Sequence, residues 1–253
     1  MSPAILHFGA IISTVSMSDP PRSPAPPDAV RGVFLGDLAH DLSTPLTAIH
    51  GAIELLLSGA YGPIDGEQRS LMLEVLASAR EMRAIVQDVA DLGALDTGRL
   101  VFATARVDVG AMLSELRTSV GETATKRGVA FTLDAPPAGT VIESDERRLR
   151  QVLPCLFGYA VKAARRGSQV IANVSRADGL LRVDVRATGI APGGDPQSLF
   201  ADRRDPTPGV PKSYRGPGLG LPLVGRMVQA WGGSARAEMH DRVLVLGIEL
   251  PVR

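Results

Sequence analysis

The most regular apolar pattern in the chain lies near its amino end. From residue 34 onward, large apolar side chains recur at steps of three and four, the spacing of an α-helix with one buried face. These residues are Leu35, Leu38, Leu42, Leu46, Ile49, Ile53 and Leu56. His40 falls between them and off this stripe. The pattern predicts an amphipathic helix with a histidine on its exposed face.

A second long helix is predicted after a short break. Glycines and a proline interrupt the helical period between Ser58 and Gly66, and a similar spacing then continues to about Leu95. Its apolar members are Met72, Val75, Ala79, Met82, Val86 and Val89. Two such helices alone bury their stripes poorly, so we expect two chains to form a dimeric four-helix bundle. The alternative is a hairpin that packs on the rest of its own chain.

From about Val107 the pattern changes to helices that alternate with short strands. The predicted helices are Val109–Lys126, Glu143–Arg165 and Leu221–Trp231, and the predicted strands are Val129–Ala135, Gln169–Val174, Leu180–Val185 and Val243–Leu250. Mainly antiparallel strands with helices indicate an α/β sandwich. We therefore expect an α+β protein with a disordered or mis-started lead (1–31), a helical hairpin (32–103) and an α/β domain (104–253).

Composition excludes several kinds of protein. The 27 lysines and arginines balance the 27 aspartates and glutamates, which argues against a nucleic-acid-binding surface or a polybasic membrane patch. The single cysteine, Cys155, allows no intramolecular disulfide and suits a reducing compartment. The apolar run Ala4–Val15 is too short to span a bilayer. We expect a cytoplasmic protein without a membrane anchor. The alternative for its amino end is a start at Met17, before a proline-rich polar stretch.

His40 has neighbours that suit phosphoryl transfer. Asp41 follows it directly, and Thr44 lies one turn further along the exposed face. One ring nitrogen of an imidazole can attack phosphorus while a carboxylate takes the proton from the other nitrogen. We expect His40 to be the acceptor, Asp41 the base and Thr44 a group that orients a hydrolytic water. The alternative is an ordinary surface histidine on an amphipathic helix.

The sequence HDLSTPLTAIHG, which begins at His40, resembles the phosphoacceptor box of sensor histidine kinases, HELRTPLTAI followed by glycine. Ser43 stands where the family usually has arginine. The resemblance implies a homodimer that exchanges phosphate with the receiver domain of a response regulator. It also implies input from a sensor protein or an upstream kinase, and ATP and Mg²⁺ as cofactors.

The order of helices and strands after residue 104 resembles the ATP-binding domain of these kinases, the Bergerat fold of gyrase and the heat-shock ATPase. GPGLGL resembles the second glycine box of that domain, which implies phosphate contacts at Gly216, Gly218 and Gly220. DERRLRQVLPCLFGYAVKAA resembles the family pattern DxxRLxQVLxNLLxNAxK and retains Lys162. VDVRATGIAPGG resembles the first glycine box and retains Gly189.

Several substitutions set this domain apart from the family pattern, and three of them bear on nucleotide and metal binding. Cys155 and Tyr159 replace the two asparagines, and Tyr159 stands at the magnesium ligand. A phenol, protonated up to a pH of about 10, is a poor ligand for magnesium. Ala187 replaces the aspartate that accepts the adenine amine, a loss of about 1.5 to 3 kcal/mol. The substitutions predict impaired binding of ATP and magnesium, and we assign no metal ligand.

Three functions are open on the sequence alone. In the first, a dimeric phosphotransferase or pseudokinase exchanges a phosphoryl group between His40 and a regulator aspartate. In the second, the chain is an ATP-dependent autokinase with an unusual nucleotide site. In the third, it is a non-catalytic dimeric docking scaffold. Nucleotide affinity separates the first two, and signalling after mutation of His40 separates the third.

Overall fold

Two long helices open the fold. We describe the protein from a computed structural model that places residues 27–190, 195–201 and 220–252. The helices are α1 (Pro27–Leu57) and α2 (Gly66–Asp96). Asp65 caps α2 by accepting from the backbone N–H of Gln68 at 2.8 Å, and Gln68 Oε1 accepts from the N–H of Asp65 at 3.1 Å. The predicted hairpin is confirmed, and its first helix begins at Pro27, ahead of the apolar stripe that predicted it.

The two helices touch backbone to backbone where α1 starts and α2 ends. A Cβ atom added to Gly32 would lie 2.7 Å from the carbonyl oxygen of Gly93. A Cβ atom added to Gly93 would lie 2.6 Å from the carbonyl oxygen of Gly32. Both distances are shorter than van der Waals contact, so only glycine fits at either position.

Further along the hairpin, the helices bury only part of their apolar stripes. Its core is a small cluster of Ala39, Leu46 and Val86. Leu38 and Ile49 of the predicted α1 stripe are 39% and 46% exposed, as expected for two helices that bury their stripes poorly without a partner. Two helices cover one side of each other, and the outward side of the stripe needs another layer.

The rest of the described chain forms an α/β domain. Its helices are α3 (Val109–Arg127), α4 (Glu146–Ala163) and α5 (Gly220–Ala230), with a 3-10 turn at Pro196–Leu199. Its strands are β1 (Ala105–Asp108), β2 (Ala130–Asp134), β3 (Val141–Ser144), β4 (Gln169–Ala177), β5 (Leu180–Ala187), β6 (Ser234–His240) and β7 (Val243–Pro251). One sheet has the order β2-β4-β5-β7-β6, and β1 pairs with β3 separately.

The main core lies between this sheet and the three helices. Every pairing in the sheet is antiparallel except that of β2 with β4. Alternate residues of β5, such as Val183 and Val185, are fully buried against the helices, and α4 contributes the fully buried Leu153 and Phe157. The α+β class predicted from the pattern is confirmed.

Some elements differ from the prediction. The strands β1, β3 and β6 were not predicted, and Glu143 lies in β3 instead of starting α4. Asp145 begins α4 as its cap, since its carboxylate accepts from the backbone N–H of Arg148 at 3.0 Å. The strands β1 and β3 have only four residues each, too few positions for a period of two to be recognised.

None of the helices in the described part of the chain is long and apolar enough to cross a membrane. The apolar run Ala4–Val15 and the candidate start Met17 lie outside the described residues.

Candidate functional site

His40, Asp41 and Thr44 are exposed on α1. Asp41 is the next residue along the helix, and Thr44 lies four residues after His40 on the same face. Within the described residues, none of these three side chains is held by a hydrogen bond or an ion pair. The imidazole is therefore accessible to a group that approaches from solvent.

Pro45 modifies the helix beside His40. It lies inside α1 and has no backbone N–H, so the carbonyl of Asp41 loses its helical donor. The hydroxyl groups of Ser43 and Thr47 instead donate to backbone carbonyls one turn earlier, Ser43 to Ala39 at 2.7 Å and Thr47 to Ser43 at 2.8 Å. Ser43 thus binds its own helix, which leaves a small neutral surface next to His40 where the family has a long cation.

The residues that replace the family's asparagines lie on α4. Tyr159 is half-buried and packs against the main core. Burial raises the pKa of the Cys155 thiol to about 12, and the charge of Asp88 on α2 acts in the same direction. The side chain of Cys155 is therefore a protonated thiol at neutral pH, and it lies near Asp88 of the hairpin. Lys162 is half-buried one turn beyond Gly158, close to the end of α4.

The first glycine box follows β5. Ala187 is fully buried at the end of this strand and offers only a methyl group. The hydroxyl of Thr188 accepts from the backbone N–H of Gln169 at 3.0 Å and donates to its carbonyl at 3.1 Å. Gly189 has a φ of +71°, and a side chain there would collide with Ser168. The turn is preserved, but the acceptor for an adenine amine is not.

The second glycine box is described only at its end. Gly220 is the first residue of α5, whereas Gly216 and Gly218 lie outside the described residues. Gly220, Gly189 and Lys162 belong to elements of one α/β unit, because α4 packs on both β5 and α5. His40, Asp41 and Thr44 belong to the hairpin.

The side chains in the nucleotide boxes do not fit the groups that the resemblance implies. The phenol of Tyr159, a poor ligand for magnesium, stands in place of the neutral amide oxygen that this cation accepts. The buried methyl group of Ala187 cannot accept a hydrogen bond from adenine. We therefore derive no reaction step through ATP or magnesium.

Two protein families match separate parts of the chain. Residues 30–98 match the His Kinase A (phospho-acceptor) domain. Residues 144–252 match the histidine kinase-, DNA gyrase B-, and HSP90-like ATPase family. The first match contains the helix that carries His40, and the second contains α4 and the strand β5. The chain belongs to the sensor histidine kinase family.

Individual histidine kinases show the same relationship. The chain is 28% identical over 214 residues to the circadian input-output histidine kinase CikA of Synechococcus elongatus, which is 83% of this chain and 28% of that protein. It is 29% identical over 256 residues to the sensory/regulatory protein RpfC of Xanthomonas campestris pv. campestris, which is 98% of this chain and 34% of that protein. The chain thus spans about a third of the length of these relatives.

A solved histidine kinase structure has a similar fold. The structure of full-length ShkA in complex with AMPPNP has a TM-score of 0.63 and 26% identity, over 87% of this chain and 46% of that chain. The histidine kinase AdeS of Acinetobacter baumannii has a TM-score of 0.53 over 84% of this chain and 97% of that chain, with 19% identity, which supports the fold alone. The chain therefore belongs to the histidine kinase family of two-component signalling and contains an ATPase-type domain.

A buried polar network joins the phosphoacceptor hairpin to the ATPase-type domain of this histidine kinase family protein. Arg148 on α4 pairs with Asp91 on α2 at 2.6 Å, and both side chains are less than 5% exposed. Gln151 donates to Asp91 at 2.8 Å and to Asp88 at 3.1 Å, and it accepts from Arg148 at 3.0 Å. The network holds α4 against α2 near Cys155.

A second polar contact between these domains centres on Asp96, the last residue of α2. Its side chain is 2% exposed and pairs with Arg31 of α1 and Arg226 of α5. Arg148 and Gln151 match the family pattern DxxRLxQVL, but that match does not predict the contact at Asp91 or the contact at Asp96. The acidic residues at 88 and 91, three apart on a helix, were a signal that could have indicated a polar face.

Proposed function

We propose that this histidine kinase family protein is a dimeric phosphotransferase in which His40 accepts a phosphoryl group from a response-regulator aspartate and passes it on. His40, Asp41 and Thr44 have the roles of acceptor, base and water-orienting group. ATP-dependent autophosphorylation is impaired in this proposal.

One contrast supports the proposal. The exposed His40 and its box are intact, whereas the buried Ala187 and the phenol of Tyr159 stand where adenine and magnesium would be recognised. Losing a hydrogen bond to a charged acceptor weakens binding by about 1.5 to 3 kcal/mol, which is about ten- to hundredfold. A phosphoryl donor outside the chain avoids both losses.

The transfer uses groups of this chain for attack and proton transfer. The unprotonated ring nitrogen of His40 attacks phosphorus as the bond from phosphorus to the aspartate oxygen breaks, and the regulator aspartate leaves as a carboxylate. The Asp41 carboxylate accepts the proton from the other ring nitrogen. In-line transfer depends mainly on positioning and charge neutralisation, so an exposed histidine on a rigid bundle is sufficient.

Exposed apolar residues of the hairpin support the homodimer. Leu38, Leu42 and Ile49 follow one side of α1, with exposed fractions of 39%, 43% and 46%. On α2, Met82 and Ile85 are also exposed, at 52% and 37%. A second hairpin would cover them and complete a four-helix bundle. The proposal includes a hairpin domain over residues 32–103 and an ATPase-like domain over residues 104–253.

Phosphoryl transfer to His40 can be measured directly. The full chain is mixed with receiver domains that have been phosphorylated with labelled acetyl phosphate and freed of it, and label on the chain is followed with time. We expect His40→Gln to remove the label. His50→Gln is the matched control, because His50 lies on the same helix and pairs with Glu54 at 3.1 Å. Equal labelling of wild type and His40→Gln would contradict the proposal.

An active autokinase is the second candidate, favoured by the similarity to ShkA, whose structure contains AMPPNP. Calorimetric titration with AMPPNP and magnesium separates the two functions. Micromolar binding, together with label on His40 from labelled ATP, would support the autokinase. We expect no binding below millimolar concentrations and no label from ATP.

A further inference from the structure

The carboxylate of Asp96 joins three helices. Oδ2 accepts a hydrogen bond from Nε of Arg31 at 2.8 Å and lies 2.7 Å from its Nη2, and Oδ1 lies 2.8 Å from Nη2 of Arg226. Arg31 lies in the second turn of α1, and Arg226 lies in the middle of α5. Each oxygen of one carboxylate therefore holds a different part of the molecule.

The three side chains differ in their access to water. Asp96 is 2% exposed, whereas Arg31 and Arg226 are 36% and 24% exposed. A guanidinium released from this contact can be hydrated where it is, but a carboxylate left half-paired stays buried. Loss of either arginine therefore affects Asp96 more than it affects the arginine side chains, and through Asp96 it reaches the other helix.

The contact at Asp91 provides an internal comparison. Arg148, Gln151 and Asp91 join α4 to α2, and no residue of α1 takes part in the hydrogen bonds and ion pairs that the described residues form with these three. The contact at Asp96 does include α1. A change at the start of α1 should therefore reach α5 through Asp96 without passing through the Asp91 contact.

We propose that Asp96 is a positioning residue that couples the start of α1 to α5, so that the ion pair of Arg31 determines how firmly α5 is held against the hairpin. Helix α5 packs on α4, β6 and β7 as well as on α2. A looser α5 would change the packing of the ATPase domain without any change in the residues that contact a ligand. The coupling goes beyond the proposed function and does not depend on it.

Hydrogen–deuterium exchange of the full chain tests this coupling. We expect Arg31→Gln to raise exchange in residues 220–230 by about fivefold or more, the lower range of typical coupling between sites. Arg31→Lys keeps the charge and should restore protection. Arg83→Gln is the matched control, since Arg83 is exposed on α2 and has no ion pair within the described residues. It should leave α5 unchanged.

A double variant distinguishes coupling from simple weakening. Because both arginines act on one carboxylate, Arg31→Gln together with Arg226→Gln should raise exchange in α5 less than the product of the two single effects. Unchanged α5 exchange in Arg31→Gln would overturn the proposal. An equal rise in α5 and in the core strands β4 and β5 would also overturn it, because it would indicate loss of overall stability.

The exchange measurement requires no phosphoryl transfer. If His40→Gln leaves phosphotransfer intact but Arg31→Gln loosens α5, the proposed function fails and the coupling stands. If transfer depends on His40 but α5 does not respond, the opposite holds.

Discussion

The hairpin and the α/β domain are incomplete in opposite ways. The hairpin presents an intact phosphoacceptor box around His40, but its own core is a small cluster and its apolar side chains remain exposed. The α/β domain has a continuous core with fully buried residues such as Phe157, but Tyr159 and Ala187 stand where the family resemblance places groups that recognise the nucleotide. A well-packed core and a complete set of reactive side chains thus occur in different regions of this chain. Core packing can be tested in the α/β domain, and phosphoryl transfer can be tested in the hairpin.

The largest effect is expected from a cavity in the better-packed region. Phe157→Ala should lower the free energy of unfolding by about 3 to 5 kcal/mol, because the ring is fully buried between α4 and the sheet. Leu46→Ala in the hairpin should cost about 2 kcal/mol, since the small cluster around it can collapse. Urea unfolding followed by circular dichroism measures both. Equal losses would contradict the difference in packing.

The contact between α4 and α2, next to Cys155, can be tested through the reactivity of this thiol. With a pKa of about 12 in place of 9.0, its thiolate fraction at pH 8 should be roughly a thousandfold lower than in the unfolded chain. Alkylation by iodoacetamide should be slower by about that factor than in concentrated urea. The raised pKa also stabilises the fold below about pH 9, and this contribution is lost as the pH rises towards 12. Fast alkylation of the folded protein would show that Cys155 is accessible to solvent and that α4 and α2 do not cover it.

The exposed stripe of the hairpin should control dimerisation. Ile49→Glu should weaken the dimer by about a hundredfold, because two copies of the side chain lose their burial and each introduces a charge. Val141→Glu is the control, since Val141 is an exposed apolar residue of β3, away from the hairpin. Sedimentation over a range of concentrations gives both dissociation constants. A dimer that resists Ile49→Glu would place the interface elsewhere.

A smaller effect is expected from restoring the nucleotide chemistry. Tyr159→Asn supplies an amide oxygen for magnesium and should raise the affinity for AMPPNP about tenfold in calorimetric titrations. Adding Ala187→Asp should raise the affinity by a similar factor. Tyr159→Phe removes the hydroxyl without supplying a ligand and should bring no gain. If both phenylalanine and asparagine increase binding, the size of Tyr159 is the obstacle and its chemistry is not.

Local patterns predicted the helices of this protein better than its contacts. The two hairpin helices, α3, and the β4–β5 hairpin follow from periodicity and turn residues, which are properties of a short segment. The exposure of Leu38 and Ile49 in a single chain cannot be predicted from periodicity. An apolar stripe has the same spacing whether it packs within one chain or against a second chain. A cap signal was available at Asp145, and it would have corrected the start of α4.

The site was predictable only in part for a related reason. His40 and its neighbours lie within five residues of one helix, so their geometry is local. The contacts of Asp91 with Arg148 and of Asp96 with Arg226 join residues far apart in the chain. Their partners depend on how the two regions dock, which no single-chain periodicity specifies.

The contact between Gly32 and Gly93 fixes the distance between α1 and α2 at one point. Because the two backbones already touch there, α1 cannot approach α2 more closely at that point. His40 lies eight residues further on, a lever arm of about 12 Å at 1.5 Å per residue. By that geometry a tilt of about 5° would carry the phosphoacceptor sideways by about 1 Å, and displacements of this size are enough to misalign a reacting atom.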